Sequence, residues 1–358
     1  MSEDILSVII PTFNRADTLP AAIRSVVVQT QAADEVIVVD DGSEDETSEL
    51  LESYGPPVTI IRQANRGLAS ARNSGLARAT GRWVGLLDSD DEWYPFKLEL
   101  QLKVMKALPR LGGLFTDMDG VGERGRHDRM VSDAFDDFDR RYGLGKSRFF
   151  PYRSTLRELG VAHRHVDPDT AVYYGPVLQH LWVKPFLMPS TVLLATEGLG
   201  RFTEGARWSD VDFFIRLAQT RWIGYLDLPS ICYGQWQEGR RLSGPTYVAE
   251  RYQRIVSAQE AYYGQGQSLR AEHRRYYRAQ RAYYFHRIAV EYLGRGERGR
   301  AMRFALRSLM ERPRQRAAYA VLALACAPRA WVAQIVRRYF TAPGRAALRP
   351  AVGESVSR

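Results

Sequence analysis

The feature that most constrains this chain is an alternation of two periodicities over its first third. Val8–Pro11 is a short apolar run that reads as a buried strand. Ala16–Gln29 then repeats apolar residues at helical spacing (Leu19, Ile23, Val26, Val27), with Asp17 or Thr18 to cap it and Pro20 in its first turn. The pattern continues with strand Glu35–Val39, helix Asp45–Tyr54 closed by Gly55-Pro56-Pro57, strand Val58–Arg62, helix Gly67–Ala79, strand Trp83–Leu87 and helix Pro95–Leu108. Strands that alternate with helices predict a parallel sheet with right-handed crossovers. Polar residues gather at the carboxyl ends of these strands, where open α/β sheets bind ligands.

From Met118 to Val172 the regular pattern fades into mixed charges such as Asp136-Asp137-Phe138-Asp139-Arg140-Arg141, which predicts a solvated loop or a lid. Order returns with a strand at Thr191–Leu194, a helix at Arg207–Thr220 and a strand at Trp222–Leu226. Beyond Thr246 the chain reads as helical, rich in tyrosine and arginine. That tail holds 22 arginines, no lysine and seven glutamates, a net +15, while the preceding part is acidic. Two parts with different partners are implied. Glu291–Gly296 followed by Ala301–Leu309 suggests a helical hairpin, with Leu306, Leu309, Ala320, Val321 and Leu324 on its packed side.

Composition excludes several classes. Cys232 and Cys326, the two cysteines of the chain, give neither a metal spacing nor a disulfide framework and are expected to be buried thiols in a reducing compartment. The six histidines do not cluster at metal-ligand spacing, and His163 and His165 are expected to be exposed. Neither a Walker loop nor a dinucleotide glycine fingerprint occurs. The start resembles no signal peptide and no run is long enough to span a bilayer, so a cytoplasmic location is expected.

Four short segments carry the chemistry: Ser7-Val8-Ile9-Ile10-Pro11-Thr12-Phe13-Asn14-Arg15, Val39-Asp40-Asp41-Gly42-Ser43, Asn65-Arg66-Gly67-Leu68-Ala69-Ser70-Ala71-Arg72-Asn73-Ser74-Gly75 and Leu87-Asp88-Ser89-Asp90-Asp91-Glu92-Trp93. In this order they resemble the N-terminal half of family 2 glycosyltransferases of the GT-A fold. Trp208–Leu217 resembles that family's acceptor-side helix, so the likeness runs from Ile5 to Ser243. It implies an α/β fold: a Rossmann-like mixed sheet flanked by helices, with a helical appendage. Residues 1–117 would be the nucleotide-sugar half, 118–245 the acceptor-side half and 246–358 the arginine-rich appendage.

Asp88 and Asp90 emerge together from a strand end, and two carboxylates so close call for a cation. Mg²⁺ or Mn²⁺ suits oxygen ligands shared with substrate phosphates. By resemblance Asp90 is the direct metal ligand, and Asp88 supports the metal and the sugar or ribose. Asp41 would accept a hydrogen bond from the nucleotide base, with Pro11 and Thr12 beside base and ribose; Asp40 or Asp41 alternatively serves as a helix cap. Arg72 would touch the diphosphate or pair with an aspartate of the metal site. Inversion at the sugar carbon needs a base for the acceptor hydroxyl. The family's Glu-Asp pair stands here as Ser209-Asp210, which leaves Asp210 as that base. Arg240 or Arg241 would close on phosphate, and the absent Gln-x-x-Arg-Trp motif implies one sugar per encounter. The acceptor would be a glycan or lipid-linked molecule. Transfer to polyprenyl phosphate, or a non-catalytic scaffold on a membrane, are the alternatives. The tail suggests an anionic membrane surface, with Trp331, Ile335 and Tyr339 as contacts, rather than nucleic acid.

Overall fold

The computed structural model describes residues 5–122, 125–142, 145–183, 187–205, 209–234, 248–264 and 271–327. The chain forms two compact units, Met1–Glu238 and Gly239–Arg358.

Unit 1 begins with β1 (Leu6–Thr12), whose seven residues are all buried, as a continuous apolar run flanked by helices demands. Helix α1 (Leu19–Val27) follows, turning Leu19, Ala22, Ile23 and Val26 inward. Next come β2 (Glu35–Asp40), α2 (Thr47–Leu51), β3 (Val58–Arg62), α3 (Leu68–Arg78), β4 (Trp83–Leu86), β5 (Glu92–Trp93) and α4 (Lys97–Ala107). The second half comprises β6 (Leu111–Gly122), β7 (Gly125–His127), α5 (Met130–Tyr142), α6 (Lys146–Phe149), β8 (Tyr152–Thr155), β9 (Ala171–Gly175), α7 (Leu178–Val183), β10 (Leu193–Ala195), α8 (Ser209–Thr220) and β11 (Trp222–Tyr233). All strands join one sheet, ordered β3-β2-β1-β4-β10-β6-β11-β9-β8, with β5 added on β11 and β7 on β6. β1 pairs in parallel with β2 and β4, whereas β10 runs antiparallel between β4 and β6. The carboxyl ends of β1, β2, β4 and β6 therefore share one edge of a mixed sheet.

The loop expected over Met118–Val172 is instead built structure. Helix α5 buries Val131 and Phe135 one turn apart and turns its mixed charges to solvent, which is why the segment reads as polar. Its start is held by Asp117, a fully buried carboxylate on β6 that accepts hydrogen bonds from the amides of Val131 (2.8 Å) and Ser132 (3.1 Å) and from the Tyr225 hydroxyl (3.0 Å). Tyr225 in turn stacks on Phe115, ring centroids 4.7 Å apart, with Phe135 and Phe150 alongside. Two further expectations fail. Cys326 is exposed and Cys232 half-buried rather than buried. The His163 side chain is tucked in, 5% exposed, with its ring against Phe96 and its Nε2 3.8 Å from Glu99, a carboxylate that offsets part of the cost of burying a polar ring.

Unit 2 contains α9 (Val248–Gly264), α10 (Ala271–Gly294), α11 (Arg298–Glu311) and α12 (Arg316–Cys326). Its core is Tyr284, Phe285, Ile288, Ala289 and Leu293 of α10 against Ala301 and Ala305 of α11 and Val321 and Ala325 of α12. Gly296, with φ of 76°, makes the tight connection into α11 that a side chain would resist. Not every arginine is a solvated charge. Arg281 is largely buried, bonded to Glu260 (2.8 Å) and Glu311 (2.7 Å) and laid over Phe285. Leu306 and Ala320, expected on the packed side, are exposed instead. Alanines at 301, 305 and 318 fill the tight interhelical space and leave the larger Leu306 outside.

Candidate active site

The four sequence segments converge on the shared carboxyl edge of the sheet. The β2 exit is fixed by Asp40, which accepts from the Ser43 amide (2.9 Å) and the Ser48 hydroxyl (2.6 Å), so Asp40 holds the turn. Asp41 is buried and accepts from Gln63 Nε2 (2.7 Å) and from the amides of Arg66 (3.0 Å) and Gly67 (2.7 Å). It thereby fastens the loop that opens α3, where Gly67 takes a φ of 87°. The loop after β1 is tied to the same place: the Asn14 amide donates to Ser43 Oγ (3.0 Å) and the Glu44 amide to Asn14 Oδ1 (2.8 Å). Pro11 and Thr12 are buried beneath these loops, and the Thr12 hydroxyl has no hydrogen-bond partner among the described residues.

Arg72 is the centre of the arrangement. It is 2% exposed, donates to Asp88 Oδ1 at 2.6 Å and lies over the Phe202 ring at 5.3 Å. Its charge also acts on Asp210, at the N-terminal turn of α8. Burial pushes the Asp210 carboxyl above the ordinary aspartate range, an effect opposed by Arg72 and helped by the negative charge of Asp88. A carboxylate with raised proton affinity, held beside a cation at a strand edge, is equipped to take a proton from a bound hydroxyl. Asp212, two residues further along α8, accepts from Thr203 Oγ1 (2.7 Å) and Arg216 Nε (3.0 Å).

The Asp88-Ser89-Asp90-Asp91 turn divides its carboxylates between two tasks. The Asp90 side chain is 47% exposed, with Arg15 at 3.7 Å, and Asp88 is 31% exposed. Asp91 is buried and accepts the Gly234 amide at 2.7 Å, and burial, reinforced by Asp88 and Asp90, pushes its carboxyl well up. Ser190 donates to Asp91 and receives the Asp88 amide at 3.0 Å. The turn is thus anchored to β11 and to the segment before β10. A Cβ at Gly234 would lie 1.5 Å from the Asp90 carbonyl oxygen, so the end of β11 rests directly on this turn. Behind it, Trp93 donates to the Ser190 carbonyl (2.9 Å), and the fully buried Lys97 sits 4.5 Å over the Trp93 ring, its ammonium disfavoured by burial.

The exposed carboxylate of Asp90 and the half-buried one of Asp88, on one turn, fit a hard divalent cation that completes its oxygen shell from a diphosphate. Among the described residues no cluster of three or more His, Cys, Asp or Glu is suited to hold a metal by itself. Asp41, Arg72, Asp88, Asp90 and Asp210 are thus brought to one edge. Arg240 and Arg241 lie outside the described residues, as do Trp331, Ile335 and Tyr339. Arg15, Ser190, Asp91 and Gly234 were not assigned roles from sequence. Arg15 closes the first motif and Asp91 lies within the fourth, but nothing local signals Ser190 or Gly234.

Comparison with known proteins agrees with this geometry. Residues 7–180 match the model of Glycosyl transferase family 2. An uncharacterized glycosyltransferase of Rickettsia felis is 36% identical over 132 residues, 36% of this chain and 22% of that protein. The uncharacterized glycosyltransferase YibD of Escherichia coli is 42% identical over 101 residues, 27% of this chain and 29% of that protein. The matched stretches thus span less than a third of these curated relatives. In structure, S. aureus TarS superposes with a TM-score of 0.53 at 18% identity, covering 94% of this chain and 55% of TarS. TarS 1–349 in complex with UDP-GlcNAc gives 0.50 at 18% identity, covering 93% of this chain and 92% of that one. The motifs, their placement on one sheet edge and these likenesses together identify residues 7–180 as a glycosyl transferase family 2 region, on a GT-A-like fold.

Proposed function

We propose that this chain transfers one sugar from a nucleoside diphosphate sugar to a hydroxyl acceptor with inversion at the sugar carbon. The observation that carries the reading is the convergence on buried Arg72 of Asp88, at 2.6 Å, and Asp210, whose proton affinity Arg72 tempers. Asp210 takes the acceptor proton, and Arg72 holds Asp88 and offers positive charge to the diphosphate. Mg²⁺ or Mn²⁺, held by Asp90 and Asp88, would neutralise the departing nucleoside diphosphate. Asp41, by fastening the 63–67 loop, shapes the wall against the base, with Pro11 and Thr12 beneath it. Arg240 and Arg241 remain candidates for phosphate contact. The TarS complex with UDP-GlcNAc supports beginning with uridine nucleotides. In a thermal-shift screen of sugar nucleotides, a UDP-sugar is expected to stabilise the protein only with Mn²⁺ or Mg²⁺ present. A ligand at 100 times its Kd contributes about 2.7 kcal/mol. If no sugar nucleotide shifts the melting temperature in either metal, the reading is overturned.

The acceptor is a glycan or lipid-linked molecule presented at an anionic membrane surface, to which unit 2 attaches. Helices α11 and α12 leave Leu306 (51%), Met310 (75%) and Tyr319 (54%) exposed. Arg303, Arg312, Arg314 and Arg316 stand beside them, exposed and without an ion pair among the described residues. Apolar tips flanked by arginines match an interfacial surface, each basic residue contributing about 1 kcal/mol. No described helix is long and apolar enough to cross a membrane, so attachment would be peripheral. The protein is expected to sediment with anionic but not neutral vesicles, less so in salt, and L306S/M310S is expected to weaken this severalfold. Equal sedimentation of the variant and the parent protein would remove this surface from the proposal.

A further inference from the structure

Asn73, on α3 beside Arg72, is 6% exposed and spends both ends of its amide on a single distant residue. Its Oδ1 accepts the Phe202 amide at 2.8 Å and its Nδ2 donates to the Phe202 carbonyl at 2.9 Å. The same Nδ2 reaches Glu204 Oε1 at 3.0 Å. This is the pairing one strand residue makes with another, made here by a side chain, so it fixes both the position and the direction of the 201–204 backbone.

That segment is bound just as closely to α8. Arg216 donates to the Arg201 carbonyl at 2.6 Å, and the Thr203 hydroxyl donates to Asp212 at 2.7 Å. The Phe202 ring lies flat on Phe213, centroids 4.1 Å apart and planes 9° apart. The other face of this aromatic pair meets the Arg72 guanidinium. Residues 201–204 therefore form a splint: one side is pinned to α3, which carries Arg72, and the other to α8, which carries Asp210.

We infer that Asn73 is a positioning residue: by clamping Phe202 it sets Asp210 against Arg72 and Asp88, and so controls transfer without touching the donor. The inference rests on the reading of Asp210 as the base. A general base works only within hydrogen-bond reach of the proton it takes, and a displacement near 1 Å can cost on the order of 10²-fold.

The test is a double-mutant cycle of Asn73→Ala with Asp210→Asn, measuring donor affinity, donor KM and transfer kcat. Asn73→Ala is expected to lower kcat on the order of 10-fold to 100-fold and leave donor affinity within about twofold. Combined with Asp210→Asn, it is expected to cost little more than Asp210→Asn alone, since its effect runs through that residue. Asn73→Asp keeps the acceptor oxygen and loses the donor; it is expected to fall between Asn73→Ala and the parent protein. Glu204→Gln keeps an acceptor for Nδ2 and is expected to behave as the parent. A full, multiplicative loss in the Asp210→Asn background, or a loss confined to donor affinity, overturns the inference. If Asp210→Asn alone transfers normally, the base reading falls instead. Hydrogen exchange at Phe202 then judges the clamp: Asn73→Ala should deprotect that amide, and unchanged protection overturns it.

Discussion

Asp210→Asn is expected to bind sugar nucleotide as the parent protein does and to lose transfer by 10²–10⁴-fold, the usual contribution of a general base. The sign of the pH dependence follows from burial. Because the folded protein raises this carboxyl above its ordinary range, the parent's kcat/KM is expected to rise with pH along an acid limb displaced above that of an exposed aspartate. The same shift means that ionised Asp210 costs folding stability at pH above its raised value, and the amide removes that cost. The variant should therefore melt no lower than the parent at neutral pH. Transfer rates, nucleotide titration and melting curves check the three statements. Near-normal transfer by Asp210→Asn with intact donor affinity would favour an acceptor that is already anionic, such as a polyprenyl phosphate.

Asp90→Asn should leave the fold intact and abolish the cation's effect. Its side chain is 47% exposed, so the substitution removes a charge at the surface rather than a buried hydrogen bond. The loss of a charged ligand where a diphosphate must be neutralised is expected to reduce transfer on the order of 10²-fold and to erase the Mn²⁺-dependent part of donor binding. Calorimetric titration of UDP with and without Mn²⁺, on both proteins, separates the contributions. Metal-dependent activity at the parent level would show that Asp90 is not the ligand.

The part of this site carried by β1 to α4 was legible because its components are local. Periodic runs announce β1 to α4, and each chemical group sits at the end of such a run. Even there the edges slip. The helix expected at Asp45–Tyr54 shrinks to Thr47–Leu51, since Asp45 instead accepts the Thr47 amide at 3.0 Å and serves the turn. The second half of unit 1 was less legible. Among the described side chains of helix α5, Val131 and Phe135 mark its inward face amid six charged residues from Asp133 to Arg141, and its start is set by Asp117 on a different element. Contacts such as Asn73 with Phe202, or Asp91 with Gly234, join residues far apart in sequence and leave no periodic trace. Exposure of Leu306 was misread for a related reason: helical spacing says which residues share a face, not which face finds a partner.

The short strand β10 has a consequence for how such a chain comes to be assembled. Leu193 and Leu194 are bonded on one side to β4 and on the other to β6, so three residues form the seam between the two halves of the sheet. β1 to β4 can pair as they are made, and so can β6 with β7. The two groups have no direct strand contact, and they join only when the chain has been synthesised past Ala195. Until then β4 and β6 each present an open edge of the kind that invites wrong pairing. The stretch matching the family ends at residue 180, before the seam. The catalytic unit is consequently longer than its motifs: a shorter piece would keep every donor-side carboxylate but lack the strand that makes the two sheets one.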